Sequence, residues 1–516
     1  MSLLNIFSQR LSGVLLPLSS VSGNSCCGGL GAGAYKFAKF LHRAGQKIWQ
    51  FLPLNPIDEC FSPYASISTF AADPVYIDLE DLFRVGFIDG FDLKQLPAGP
   101  VSRSAFNAAK DFRRQLLHKA VQKFKKTDGT KYHAVREKFV YENAWVRQHA
   151  LFCAASEHLG TSDWSTWSNE SWRTFDDNSS CRILDLLREE VEYHIILQLF
   201  FDVQWQEFRD YCNSLGIYLV GDVPIYVSRS SVDTWSNRKL FQIDSAGRML
   251  RVAGVPADSF NPDGQRWNSP LYDWENHQAD NFRWWTNRIS NSMRRFDAVR
   301  LDHFIGFYNF FSLPIVPDSQ DTGFWINGPG ELFFDTVFQK LPEAKLIAED
   351  LGVMNKGVHA LRDKYNLPGI NVFQFHFDFK KNTDATLDWA ENSIVCSGTH
   401  DTDTISSWFD DVLLDRKKSE PFWDFNFLYN LIKEFVPPDT KINRQTILWG
   451  IIRKIMSTRG NLAIFPIQDF LGLSTDARIN FPGRAKGNWV WRLDGALLTN
   501  ELADRLASWT SEFGRE

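Results

Sequence analysis

The sequence predicts an α/β fold, a closed (β/α)8 TIM barrel carrying inserted, largely helical subdomains. Three observations lead there. Eight short apolar runs recur along the chain, amphipathic helix-like segments fall between several of them, and several of the runs end in a carboxylate. Runs that are rich in β-branched and aromatic residues and show little alternation read as parallel strands covered on both faces. Strands of that kind interleaved with helices point to a barrel. Periodicity alone leaves a doubly wound open sheet as the alternative.

In chain order the runs are SGVLLPL (12–18), QKIWQFLPL (46–54), GIYLVGD (216–222), FDAVRLD (296–302), AKLIAED (344–350), INVFQF (370–375), NSIVCSGTHD (392–401) and LAIFPIQD (462–469). The first lies in an N-terminal stretch whose early positive charge comes late, at Arg10, and whose apolar run contains Pro17. It therefore reads as a buried strand and not as a signal peptide. The helix-like segments include GAYKFAKFLHRAG after the first run and LYNLIKEFV and ILWGIIRKIM before the last. The gap from 55 to 215 is too long for a loop and contains helical patterns such as FRRQLLHKAVQKF, so it reads as a helical insertion after the second strand. A second insertion, rich in Asp, Asn, Trp and Pro, spans 224–295 between the third and fourth strands. Residues 1–516 are read as one catalytic barrel with these two insertions.

Composition narrows the function classes. The net charge is −6, and KFKK at 123–126 is the only basic run that stands out, a solvated helix face. Nucleic-acid binding needs a concentrated basic surface, which this chain lacks. Its seven cysteines, an odd number, are scattered apart from Cys26 and Cys27. That pattern suits free thiols in a reducing, cytoplasmic compartment. CxxC and HExxH spacings are missing, as is any apolar run long enough to cross a bilayer. GGLGAG (28–33) lacks the lysine of a phosphate loop and reads as a tight strand-to-helix turn.

The chemistry is expected at the C-terminal ends of the strands. Asp222, Asp302, Glu349 with Asp350, Asp401 and Asp469 all stand there. Taken singly, each is equally a helix cap or half of an ion pair. Five acidic positions on one rim are harder to explain that way, because like charges repel. Arg300 and Asp302 are two apart on a strand and share a face. A guanidinium beside a carboxylate lowers its pKa by roughly 1–3 units, so Asp302 is expected to stay ionised. Glu349 stands in the apolar context LIAED, where burial raises a carboxyl. One ionised and one protonated carboxyl form the pair that glycoside chemistry uses. A plain Arg300–Asp302 salt bridge is the competing explanation.

At these residues the sequence resembles a known family. RLDHF, IAEDLG and SGTHDTDT, in that order, are similar to motifs of the 4-α-glucanotransferases called amylomaltases or disproportionating enzymes, glycoside hydrolase family 77 of the α-amylase superfamily. The likeness runs nearly end to end, through SPYASISTFAADPVYIDLE, GDVPIYV, AGVPADSFNPDGQRWNSPLYDW, GPG (328–330), PGINVFQF and QDFLGLSTDARINFPGRAKGNWVWRL. The resemblance implies the barrel fold and a set of roles. Asp302 would be the nucleophile, Glu349 the general acid/base, and Asp401 the acid that holds ring hydroxyls of the sugar at the cleavage point. Arg300 would orient Asp302, with His303 and His400 hydrogen-bonding the same sugar. Tyr64 and Asp222 would line the donor site, Asn480 and Gly483 would approach the glucan, and Phe260 and Trp267 would lie in a loop folded over it.

The chain departs from the family pattern at Ile305, where arginine is usual, at Ser259, where a tyrosine is common, and at Thr402, where the family has asparagine. The resemblance further implies α-1,4-glucan donors and acceptors, such as maltooligosaccharides and glycogen-derived dextrins. The implied chemistry requires no cofactor, and no acidic loop indicates a calcium site. The reaction expected is a retaining double displacement, with a glucan 4-hydroxyl as second nucleophile. Hydrolysis on the same barrel and a silent glucan-binding protein are the alternatives.

Overall fold

The computed structural model describes residues 6–23, 27–57, 62–94, 103–127, 129–256, 264–316, 321–352, 355–376, 387–411, 432–436, 443–484 and 486–516. Twelve strands are labelled in chain order. They are β1 Leu11–Leu15, β2 Ile48–Gln50, β3 Tyr218–Val223, β4 Val252–Val255, β5 Gln265–Pro270, β6 Ala298–Leu301, β7 Asn309–Leu313, β8 Phe324–Asn327, β9 Leu346–Ala348, β10 Gly369–Val372, β11 Ser393–Cys396 and β12 Leu462–Pro466.

Eight of them form one parallel sheet in the order β10-β11-β12-β1-β2-β3-β6-β9. The first strand pairs along its whole length with the last, Leu11 opposite Leu462 through Leu15 opposite Pro466. The seam between β9 and β10 is bridged where Ala348 N–H donates to the Pro368 carbonyl at 2.9 Å. The sheet therefore curls into a cylinder, which rules out the open doubly wound alternative. Each barrel strand falls within or against one of the eight apolar runs.

Alternation along the strands builds two apolar layers. Leu11, Leu15, Ile48, Val220, Ala298, Ile347, Ile394, Leu462 and Ile464 pack together inside the barrel. Val14, Trp49, Leu219, Val299, Leu346, Val395, Ala463 and Phe465 belong to a separate core facing the helices. Both layers exclude water, which is why the runs looked apolar throughout. Gly13 marks a close approach of β1 to β2, since a Cβ there would sit 2.4 Å from that of Ile48.

Between β2 and β3 the chain forms a run of helices, among them Trp145–Leu159 and the long Arg188–Ser214. The long helix joins two bodies. Val191, Ile195 and Leu199 enter a satellite core with Phe152, Trp164, Trp167 and Trp235. Farther along, Ile196, Phe201, Trp205 and Phe208 pack on the barrel. Strands β4 and β5 join β7 and β8 in a four-stranded antiparallel sheet, ordered β5-β4-β7-β8. The sequence reading contains no counterpart of this sheet. Its strands are short, and β8 is largely exposed, so no apolar run announced them. The sheet matters because residues from three of its strands line the cavity at the barrel mouth.

Candidate active site

The strand ends deliver side chains to one cavity of about 430 Å³. Arg300, on β6, is its electrostatic centre. The guanidinium is buried and faces three carboxylates. Its Nη1 lies 2.8 and 2.7 Å from the two oxygens of Asp222, and its Nη2 lies 3.0 Å from Asp302 and 3.9 Å from Glu349. Because both of the latter distances start at one nitrogen, the nearest oxygens of Asp302 and Glu349 lie less than about 7 Å apart. That bound accommodates the retaining separation of roughly 5–5.5 Å.

The charge sharing changes one expectation. Burial, reinforced by Asp222 and Asp401, outweighs Arg300 and lifts Asp302 to about 6. The expected depression of Asp302 is therefore absent, because one guanidinium serves three acids. Glu349 is likewise pushed well above the ordinary carboxylate range, by burial first and then by the charge of Asp302. Backbone N–H groups of His303, at 2.6 Å, and Leu351, at 3.1 Å, donate to its two oxygens and fix its orientation. Both carboxyls of the pair are therefore raised, against the pull of the guanidinium they share.

His303 sits at φ 48°, in the left-handed region, next to the reacting carboxyls. Strain of this kind collects at functional sites. Its ring meets Trp267 edge-on, with centroids 4.8 Å apart, and burial drives it down to about 4, so the imidazole is neutral near pH 7. The third acid behaves differently. Burial pushes Asp401 up, but His400 at 3.2 Å, Asn480 Nδ2 at 2.6 Å and Arg300 together pull it down to about 2. Asp401 is a permanent anion on the cavity wall. Tyr64 stacks on His400, with centroids 5.2 Å apart, and its hydroxyl donates to Asp222 at 2.6 Å. Burial and Asp222 raise that phenol, so it remains a neutral donor.

Tyr64, Trp267, Arg300, Asp302, His303, Glu349, His400, Asp401, Asn480 and Gly483 all line the cavity. Asp222 does not. Its side chain is fully buried behind Arg300 and Tyr64, which it holds in place. Phe260 and Ser259 lie outside the described residues. Ile305 lines the cavity as a buried apolar residue, and Thr402 hydrogen-bonds within its own turn, to Thr399 and Asp403. Two of the other strand-end acids are structural. Asp350 pairs with Arg362, and Asp469 is wholly buried.

The structure adds Tyr226, Trp325 and Trp489 to the walls. Trp325 and Trp489 occur within or beside the motifs GPG and GNWVWRL, yet no residue-level signal separates a lining tryptophan from a core one. Among the described residues, no group of three or more His, Cys, Asp or Glu side chains is placed to hold a metal ion, and no helix is long and apolar enough to cross a membrane.

A barrel mouth that gathers two unequal carboxyls, a third ionised acid and a shared guanidinium defines an enzyme acting on glycosidic bonds. Comparison with known proteins specifies the group. A family model described as 4-alpha-glucanotransferase matches residues 16–499. A 4-alpha-glucanotransferase of Aquifex aeolicus is 36% identical over 488 residues, 94% of this chain and 96% of that protein. One of Synechocystis is 35% identical over 520 residues, 99% of each chain. The structure of an amylomaltase from Streptococcus agalactiae in complex with acarbose superposes with a TM-score of 0.90 at 31% identity, over 98% of this chain and all of that one. The chain belongs to the 4-alpha-glucanotransferase family, glycoside hydrolase family 77.

Proposed function

We propose that the protein transfers α-1,4-glucan segments between maltooligosaccharides by a retaining double displacement. The observation that carries this reading is the pair of carboxyls that share Arg300 at the wall of one cavity. Burial lifts Asp302 to about 6 beside the guanidinium and pushes Glu349 well above the ordinary carboxylate range, which suits the first to a nucleophile and the second to a proton donor. Asp302 attacks the anomeric carbon, and Glu349 protonates the departing glycosidic oxygen. Once the covalent glycosyl-enzyme forms, Glu349 is a carboxylate and takes the proton from the incoming 4-hydroxyl.

Asp401, held anionic by His400 and Asn480, accepts hydrogen bonds from ring hydroxyls of the sugar being cleaved. His400, His303 and Tyr64 complete that subsite. Trp267 and the antiparallel sheet wall the side on which an acceptor enters. The choice of a sugar over water then rests on how firmly the acceptor is oriented. Donors and acceptors are maltooligosaccharides and glycogen-derived dextrins, and the site of action is the cytoplasm. Free cysteines at 27, 153, 181, 212 and 396 fit that compartment.

Incubation with maltotriose tests the proposal. The expected products are glucose and longer maltooligosaccharides with little net gain of reducing ends, and Asp302→Asn is expected to make neither. A steady rise in reducing ends would show hydrolysis, and undiminished turnover by Asp302→Asn would remove the nucleophile.

A further inference from the structure

Two strand-end acids stand outside the mechanism: Asp350, which is paired with Arg362, and Asp469. The latter follows β12 in the short helix Ile467–Leu471 and is fully buried, away from the cavity lining. Among the described residues, no lysine or arginine pairs with it. A buried carboxyl without a counter-ion is costly, so its hydrogen bonds identify what it does. One oxygen accepts from the Ser397 hydroxyl and the other accepts from Ile405 N–H at 2.9 Å. Ser397 is the first residue after β11, and Ile405 opens the helix that follows. Everything between them is the loop that presents His400 and Asp401 to the cavity. One side chain therefore closes that loop at both ends.

The middle of the loop is held separately. Arg478 Nη2 donates to the Asp401 carbonyl at 2.7 Å, and Asn480 N–H donates to the His400 carbonyl at 3.2 Å. Within the loop, Thr399 N–H donates to Thr402 Oγ1 at 3.0 Å. Packing is tight, since a Cβ on Gly398 would lie 2.3 Å from Thr402 Oγ1. From the other side Gln374 Nε2 donates to the Asp403 carbonyl at 2.8 Å, so the middle is braced and the clamp at the ends sets where that braced segment stands.

We propose that Asp469 is a positioning residue, a two-ended clamp that holds the 397–405 loop so that Asp401 meets the sugar. The proposal rests on the reading of Asp401 as a substrate-holding acid. Burial lifts Asp469 to about 7, so its protonated form is accessible near neutrality. Asparagine copies that form. Its Oδ1 still accepts from Ile405, and its Nδ2 donates to the Ser397 oxygen.

The test compares Asp469→Ala, Asp469→Asn and Asp401→Asn in the full chain, by kcat and KM on maltotriose and by thermal melting. Misplacement of a contacting group by about 1 Å can cost on the order of 100-fold. Asp469→Ala is therefore expected to lower kcat about 10- to 100-fold at temperatures where the variant is fully folded, and Asp469→Asn to restore most of the loss. If the alanine variant does not fold, Ser397→Ala removes one end of the clamp and should lower kcat by a smaller factor. A folded Asp469→Ala or Ser397→Ala enzyme with wild-type kcat overturns the proposal. So does a loss that only tracks the folded fraction, or one that asparagine fails to rescue. If Asp401→Asn itself keeps full turnover, the reading of Asp401 fails first. If Asp401→Asn is inactive while Asp469→Ala is unimpaired, the clamp alone is refuted.

Discussion

Replacing Arg300 by glutamine removes the guanidinium shared by Asp222, Asp302 and Glu349. At 3.0 Å and an effective permittivity of about 20, a unit ion pair is worth about 5.5 kcal/mol. That corresponds to about 4 pKa units. Side-chain relaxation and entering water reduce the change toward the roughly 1–3 units typical of a carboxylate beside an arginine. Asp302 starts at about 6, so the variant should place it at roughly 7–9. At pH 7 the ionised nucleophile then falls from about nine-tenths of molecules to between about one-half and about one-hundredth. Glu349, which the same guanidinium pulls down, moves up as well.

The acid limb of kcat/KM should therefore shift upward by about 1–3 pH units, with part of the activity returning on the alkaline side. Initial rates of glucose release from maltotriose between about pH 5 and about pH 10 read this directly. Arg300→Lys serves as the companion variant. It retains the charge without the fork, so its acid limb should stay near the wild-type position while kcat drops. A lower rate with an unmoved acid limb in Arg300→Gln would refute the electrostatic account and leave Arg300 a purely steric support.

Three other outcomes follow from the same geometry. Glu349→Gln should lower turnover of maltotriose about 10²- to 10⁴-fold, while an α-glucoside with an acidic phenol as leaving group should still release that phenol in a first-turnover burst. Asp302→Asn should raise the melting temperature by a few degrees at pH 7–8 and by less near pH 4. The folded-state pKa of Asp302 is raised, so its protonated form is favoured on folding, and stability declines as pH climbs from the unfolded value toward about 6. An equal gain at both pH values would contradict that sign. Trp325 stands on the cavity wall with 37% of its surface exposed. Trp325→Ala should weaken acceptor use about three- to tenfold and raise the share of hydrolysis, and an unchanged ratio of transferred to hydrolysed product would exclude it from acceptor binding.

Much of the architecture was legible because barrel strands carry two demands at once. They must be apolar on both faces and must stop at the rim, so LIAED and FDAVRLD could be read as strands ending in acids. The antiparallel sheet was not legible. Strands such as FWIN are short and partly open to solvent, and their aromatic residues look like any others until neighbours are placed around them. The same limit applies to Trp489, which has a left-handed backbone at φ 64° and lines the cavity beside Tyr64 and His400.

By itself, the sequence determined the closed parallel barrel as the leading fold, the order of its strands along the chain, and ten of the residues that line its mouth, among them Asp302, Glu349 and Asp401. Only the tertiary structure decided how the charges divide. Asp222 reads like its fellow strand-end acids, yet it is withdrawn beneath Arg300. Asp302 is raised instead of lowered, Asp401 is held at about 2, and Asp469 faces inward to two loop ends. The reason is physical. A side chain's type is local, but its protonation and role are set by burial and by which partners share it, and most of those partners lie tens of residues away along the chain until the cylinder closes.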